Sequence, residues 1–172
     1  MTNDSFISNI VEWNSQKVKY TWIPGADTHS FVPFTQVYGI AFNDEGKVLV
    51  IQEKEVWKIP GGTVELGEAP EETFIREFNE ETDVSLKNIK FIGALRVEFL
   101  DQENPNKNEG NTFYQLRFIA DVDKILTQTP DPDGGEIHPR KFIPLDDLIK
   151  ISNWGETGKA MFEEAAAKHK TK

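Results

Sequence analysis

The triplet Pro60-Gly61-Gly62 separates the clearest hairpin of this chain from its clearest helix, and no other feature limits the possible folds as strongly. Before it, residues 37–42 (VYGIAF) and 47–52 (KVLVIQ) flank Asn43-Asp44-Glu45-Gly46. Two β-branched runs around a glycine-terminated turn predict a β-hairpin. After it, the spacing predicts a helix over 70–81. Pro70 suits a first helical turn, and Phe74 and Phe78, four apart, supply one apolar face. Ala69, at the N-cap position, has no side-chain oxygen to offer, so this helix end is weakly capped.

The rest of the chain repeats the alternation. Phe6, Ile7, Ile10, Val11 and Trp13 predict a short helix over the first seventeen residues, followed by an edge strand at 18–23 that Pro24-Gly25 stops. Residues 89–99 and 111–122 read as strands, and the polar segment between them (DQENPNKNEGN) as a mobile loop. A Pro/Gly/Asp loop then leads to a short strand at 141–143 and to helices at 146–151 and 156–168. No repeat, low-complexity run or linker divides the chain. The expectation is one α/β domain over 1–172, a sheet sandwiched between helices, with an N-terminal extension of about 1–30 and a C-terminal helix at about 156–168.

Composition narrows the chemistry. With no cysteine, disulfides, thiolate metal sites and cysteine nucleophiles are excluded. No apolar stretch is long enough to cross a membrane, and the first residues lack the basic and apolar regions of a signal peptide, so a soluble cytoplasmic protein is expected. Twenty-nine acids against nineteen bases give a net charge of −10. Such a surface repels phosphate backbones, which argues against nucleic acid as a partner. A small phosphorylated ligand remains compatible if a divalent cation sits between the two negative partners.

The acids of the predicted helix are the informative ones. Glu77, Glu80 and Glu81 stand at i, i+3 and i+4, on one face and one turn apart. Three crowded carboxylates repel unless something neutralises them, and a hard divalent cation with oxygen ligands does so. Three glutamates with no histidine or cysteine point to Mg²⁺ or Mn²⁺ and away from zinc. Gly61 and Gly62 allow close backbone approach, and a main-chain carbonyl there can add a ligand. Arg76 can pair with Glu72 one turn earlier or with Glu68 across the loop. Glu71 and Glu72 read as a solvated face. A metal–carboxylate cluster of this kind can bridge phosphate oxygens and acidify a bound water, which is the chemistry of diphosphate hydrolysis.

Residues 62–84 (GTVELGEAPEETFIREFNEETDV) closely resemble the Nudix hydrolase box, G-x5-E-x7-R-E-U-x-E-E-x-G-U with U a bulky apolar residue. Gly62, Glu68, Arg76, Glu77, Phe78, Glu80, Glu81 and Val84 fall in register, and WKIPGG before them looks like the lead-in. Asp83 stands where the box has its last glycine. That glycine ends the helix in a left-handed conformation, which aspartate tolerates better than most residues. The resemblance extends over about 35–150 and implies the Nudix fold, with the box as loop–helix–loop. It implies Glu77, Glu80 and Glu81 as metal ligands, one of them able to double as general base. It also implies a Gly61 or Gly62 carbonyl as a further ligand, and a Glu68–Arg76 pair that orients loop and helix. Glu136, on a loop after the box, is the candidate for the additional metal-binding or basic acid seen in several members; an ordinary solvated acid is the alternative.

The implied reaction is Mg²⁺-dependent hydrolysis of a nucleoside diphosphate linked to a further group. The proline typical of the ADP-ribose subgroup is absent, its position falling at Glu98 and Phe99. A MutT-like nucleoside triphosphate pyrophosphohydrolase is the nearest reading. Hydrolysis of nucleotide sugars or dinucleoside polyphosphates, and a non-catalytic nucleotide sensor, are the alternatives. Homodimers are common in the resembled family, although no patch in this sequence argues for one.

Overall fold

The computed structural model describes residues 6–101 and 110–171. It opens with a hairpin, β1 (Ser8–Trp13) and β2 (Gln16–Pro24), in register from Ser8↔Thr21 to Trp13↔Gln16. This corrects the helix expected over the first seventeen residues, of which 1–5 lie outside the described residues. The reason is the turn. Asn14 and Ser15 both take positive φ, 50° and 63°, the geometry of a two-residue hairpin loop. Backbone pairing to β2 prevails over the one-sided apolar pattern, and Ile10 and Trp13 remain exposed. Nor is β2 an edge strand, because it lies between β1 and β7 (Val84–Phe99).

Next come β3 (Phe34–Phe42), β4 (Val48–Glu53), β5 (Val56–Lys58) and β6 (Gly61–Thr63). Helix α1 (Pro70–Thr82) precedes the long β7. After it follow β8 (Thr112–Ile125), β9 (Arg140–Ile143), α2 (Leu145–Ser152) and α3 (Gly155–Lys170). The loop expected to be mobile between β7 and β8 lies for the most part, at 102–109, outside the described residues. The sheet runs β1-β2-β7-β8-β3-β4-β5, with β6 paired to β3 and β9 to β4. Among the described residues only β3 and β8 pair in parallel, so the sheet is mixed.

Strand residues alternate between two apolar layers, as a period of two requires. Ile40, Phe42, Val48 and Val50 face Leu148 of α2 and Met161, Phe162 and Ala165 of α3. Val37, Ala41 and Leu49 face Phe74 and Phe78 of α1. The expected sheet between helices is therefore the observed architecture.

One contact sets how deep α1 sits. A Cβ on Gly39 of β3 would lie 1.8 Å from the Phe74 ring, so the ring rests directly on backbone. Burial of Phe74 and Phe78, both fully covered, contributes about 1.5–3 kcal/mol each. The weak cap at Ala69 is relieved by Glu72, whose carboxylate accepts the Ala69 N–H at 2.9 Å, so Glu72 is more than a solvated acid. At the other end Asp83 takes φ 49° and ψ 41°, the expected left-handed conformation, and its N–H donates to the Asn79 carbonyl. Its carboxylate also accepts from the Thr129 N–H at 2.7 Å and from the Thr129 hydroxyl at 3.0 Å. The residue that replaces glycine thus ties the end of α1 to the loop that follows β8.

Candidate active site

The site is built where β6 crosses beneath α1. Tyr38 pairs with Gly61 and Val37 with Gly62. Gly61 has φ 143°, and a Cβ there would come within 2.2 Å of the Val37 carbonyl oxygen. A Cβ on Gly62 would lie 2.4 Å from Glu77 Oε1. Both glycines are therefore needed for the helix carboxylates to settle against the strand.

Arg76 organises the acids. Its Nε donates to Glu68 Oε1 at 2.8 Å and its Nη2 to Glu68 Oε2 at 3.1 Å, a two-point fork. The same Nη2 reaches the Thr63 carbonyl at 3.0 Å. Nη1 donates to Glu77 Oε1 at 3.0 Å and Glu80 Oε2 at 2.9 Å. Of the two partners expected for Arg76, the structure gives Glu68. Glu68 accepts in addition from the Thr73 hydroxyl and the Glu65 N–H. The Arg76 guanidinium, aided by these donors, holds the Glu68 carboxyl down at about 2.

Glu77 and Glu81 are shifted the other way. Burial raises Glu77 above the usual carboxylate range. Arg76 opposes that, and the neighbouring charges of Glu80 and Asp133 reinforce it. Burial pushes Glu81 up to about 7, against the pull of the Gly61 N–H, which donates to its Oε2 at 2.7 Å, and of Lys58. Lys58 Nζ stands 3.8 Å from Glu81 Oε1 and pairs with Glu53. In both, burial is the larger cause and like charge the smaller one.

The all-oxygen donor set and the glycine cradle that receives Glu77 fit a hard divalent cation, with Glu77, Glu80, Glu81 and the Gly61 carbonyl available to hold it. Among the described residues, however, no three acidic or imidazole side chains already converge as a metal-binding group. Arg76 draws Glu77 and Glu80 to one side, while Glu81 turns toward Gly61 and Lys58.

Glu136 is exposed, and its carbonyl accepts the Asp131 N–H at 2.8 Å. In the same loop Asp131 is buried, pairs with His138 at 3.3 Å and accepts the Asp133 N–H at 2.8 Å. Asp133 is the loop acid whose charge bears on Glu77. Sequence reasoning missed Asp133, and it missed Lys58, although a lone cation in WKIPGG just before the glycines was a readable signal.

The chain has relatives. Residues 33–165 match the family model described as the NUDIX domain. The chain is 30% identical over 142 residues to an RNA pyrophosphohydrolase of Bartonella clarridgeiae, covering 70% of this chain and 82% of that protein. It is 38% identical over 120 residues to an ADP-ribose pyrophosphatase of Bacillus subtilis, covering 65% of this chain and 59% of that one. A third curated relative is spanned over only 39% of its length. The crystal structure of a Bacillus subtilis pyrophosphohydrolase superposes with a TM-score of 0.66 at 19% identity, covering 95% of this chain and 98% of that one. Among the described residues no helix is long and apolar enough to cross a membrane.

Proposed function

The chain belongs to the Nudix family, and from that premise we propose that it is a divalent-metal-dependent pyrophosphohydrolase acting on nucleoside triphosphates. The observation that carries the reading is the pair of carboxylates, buried Glu77 and half-buried Glu81, set on consecutive turns above the Gly61–Gly62 crossing, with Arg76 beside Glu77. Glu77, Glu80 and Glu81 would hold Mg²⁺ or Mn²⁺, with the Gly61 carbonyl within the same site. When bound, the cation supplies charge neutralisation at phosphate oxygens and lowers the pKa of a coordinated water.

The chain's own residues supply orientation and proton handling. Arg76 locks the box loop to the helix through Glu68 and the Thr63 carbonyl, which fixes the carboxylate face relative to β6. Of the three helix glutamates, Glu81 is the one turned away from Arg76, toward the Gly61 N–H and Lys58, which leaves it free of the guanidinium to serve as general base. Lys58, beside Glu81, adds a positive group at the edge of the site where a phosphate would arrive.

A second reading is favoured by a relative that is spanned over 82% of its length, the RNA pyrophosphohydrolase. The same chemistry would then act on the 5′-triphosphate end of an RNA. The net charge of −10 opposes contact with a long RNA backbone and favours the free nucleotide. The test is pyrophosphate release, with and without Mg²⁺ or Mn²⁺, from nucleoside triphosphates, a triphosphorylated short RNA, ADP-ribose, a nucleotide sugar and a dinucleoside polyphosphate. Metal-dependent turnover of free triphosphates is expected, with Glu80→Gln and Glu81→Gln each lowering it by about 10²-fold or more. Unchanged kinetics in both variants would refute the assignment.

A further inference from the structure

The two ends of the strand order are treated differently. At one end β5 is only three residues long, preceded by Lys54-Glu55 and closed by Lys58, and shortness and charge of this kind keep an edge from pairing with another chain. At the other end β1 runs for six residues, SNIVEW, with neither proline nor lysine. Half of its main chain is committed to β2. The Trp22 N–H donates to the Ile7 carbonyl at 3.0 Å, and the register continues as Ser8↔Thr21 and Asn9↔Tyr20. Hydrogen-bonded pairs alternate along an antiparallel ladder, so Asn9, Val11 and Trp13 turn their main-chain groups to β2, whereas Ser8, Ile10 and Glu12 turn theirs outward. Among the described residues no strand pairs with that outward side.

Apolar side chains accompany this open edge. Ile10 is 58% exposed, Trp13 49% and Ile7 45%. Ile10 stands directly across from Lys19, and Glu12, two residues on, across from Lys17, so Ile10 is an apolar residue on the polar face of the hairpin. Charge also sets the hairpin apart. The whole chain carries −10, which makes copies repel, but residues 6–24 hold two lysines, Lys17 and Lys19, against one acid, Glu12, a net of +1.

A second copy of the same strand fits this edge. Two antiparallel copies can bond only through the outward groups of Ser8, Ile10 and Glu12, and the register that uses all three in both copies sets Ile10 on a two-fold axis. Ile10 then faces its counterpart, Ser8 faces Glu12 of the other copy, a hydroxyl donor against a carboxylate, and Ile7 faces Trp13, an apolar pair. No like charges stand opposite each other. The half-exposed apolar side chains offer on the order of 100 Å² each, and with the main chain they bring the surface buried by both copies to roughly 1,200 Å², the lower end for a specific interface.

We propose that the chain forms a two-fold dimer through β1, which joins the two sheets into one continuous sheet across Ile10. Sedimentation equilibrium of the full chain should show a reversible dimer with a Kd of roughly 1–100 µM. Ile10→Lys changes a side chain that is already more than half exposed and places two like charges at the axis. It should leave the circular-dichroism spectrum unchanged and weaken association by about tenfold or more. Because the chain has no cysteine, single introduced thiols report the register. Two Ile10→Cys residues would lie about 5.5 Å apart between Cα atoms, within disulfide reach, and should cross-link on oxidation. Two Glu12→Cys residues would lie roughly 14 Å apart and should not. A monomer at every concentration would overturn the proposal. So would a dimer that survives Ile10→Lys, or cross-linking as efficient at residue 12 as at residue 10.

Discussion

Removing the charge of Glu81 should stabilise the metal-free protein, and the gain should depend on pH in one direction only. Glu81 Oε2 accepts the Gly61 N–H at 2.7 Å, but burial outweighs that bond and Lys58, and raises the carboxyl from 4.5 to about 7. At about 1.4 kcal/mol for each tenfold change in proton affinity, holding the ionised group in place costs roughly 3 kcal/mol above neutral pH. The sign follows from proton counting. Between pH 4.5 and 7 the folded chain keeps a proton that the unfolded chain releases, so stability falls as pH rises through this window. Below it both states are protonated and the effect vanishes. Glutamine retains an oxygen for the Gly61 N–H without the charge. The stability of Glu81→Gln minus that of the wild type should therefore climb from near zero at pH 4.5 to about 3 kcal/mol at pH 8. Urea unfolding in the presence of a chelator, at half-unit pH steps, measures it. Added Mg²⁺ should shrink or invert the difference, because a carboxylate that binds the cation gains what glutamine cannot. A difference that stays flat from pH 5 to 8 would refute burial of an ionised Glu81 as the cause.

Arg76→Ala should lower stability by about 1–3 kcal/mol and abolish most activity, since it strands Glu68 and frees Glu77 and Glu80 to repel each other; denaturation and kinetics on one preparation test both effects. With its carboxyl held at about 2, Glu68 contributes fully above pH 4.5 and loses that contribution as pH falls toward 2, so urea unfolding should show the wild type losing stability over this window relative to Glu68→Gln, which has no proton to gain there. Asp83→Ala should cost about 1–2 kcal/mol, combining a left-handed alanine with two lost bonds to Thr129, and should speed hydrogen exchange at the Thr129 amide. An exchange rate at Thr129 equal to that of the wild type would show that the carboxylate does not hold the loop.

Much of this was legible in the sequence. Helix α1, its apolar pair Phe74 and Phe78, the strands on either side and the left-handed Asp83 all follow from short-range rules, because each depends on neighbours within a turn. The N-terminal hairpin was misread because its signal lies in two turn residues, Asn14 and Ser15, whereas the apolar spacing around them suits either structure. The choice of Glu68 over Glu72 by Arg76 could not be decided at a distance, since it depends on how the box loop folds back over the helix. Arg117, only 2% exposed, was invisible for a different reason. A lone arginine in a strand carries no mark of being buried without a counter-charge; that condition is created by β2, β3 and α3 closing around it.

The bare backbone at Gly39 bears on how sequence variants of this protein should be classified. One methyl group there would push the Phe74 ring, and α1 with it, away from the sheet, and would lift Glu77 and Glu81 off the Gly61–Gly62 crossing. Gly39→Ala is therefore expected to lower activity through α1, although the changed residue lies on β3 and outside the carboxylate cluster. Distance from the carboxylates would score such a variant as benign. A second change that trims Phe74 should rescue it, so the two positions are best judged as one.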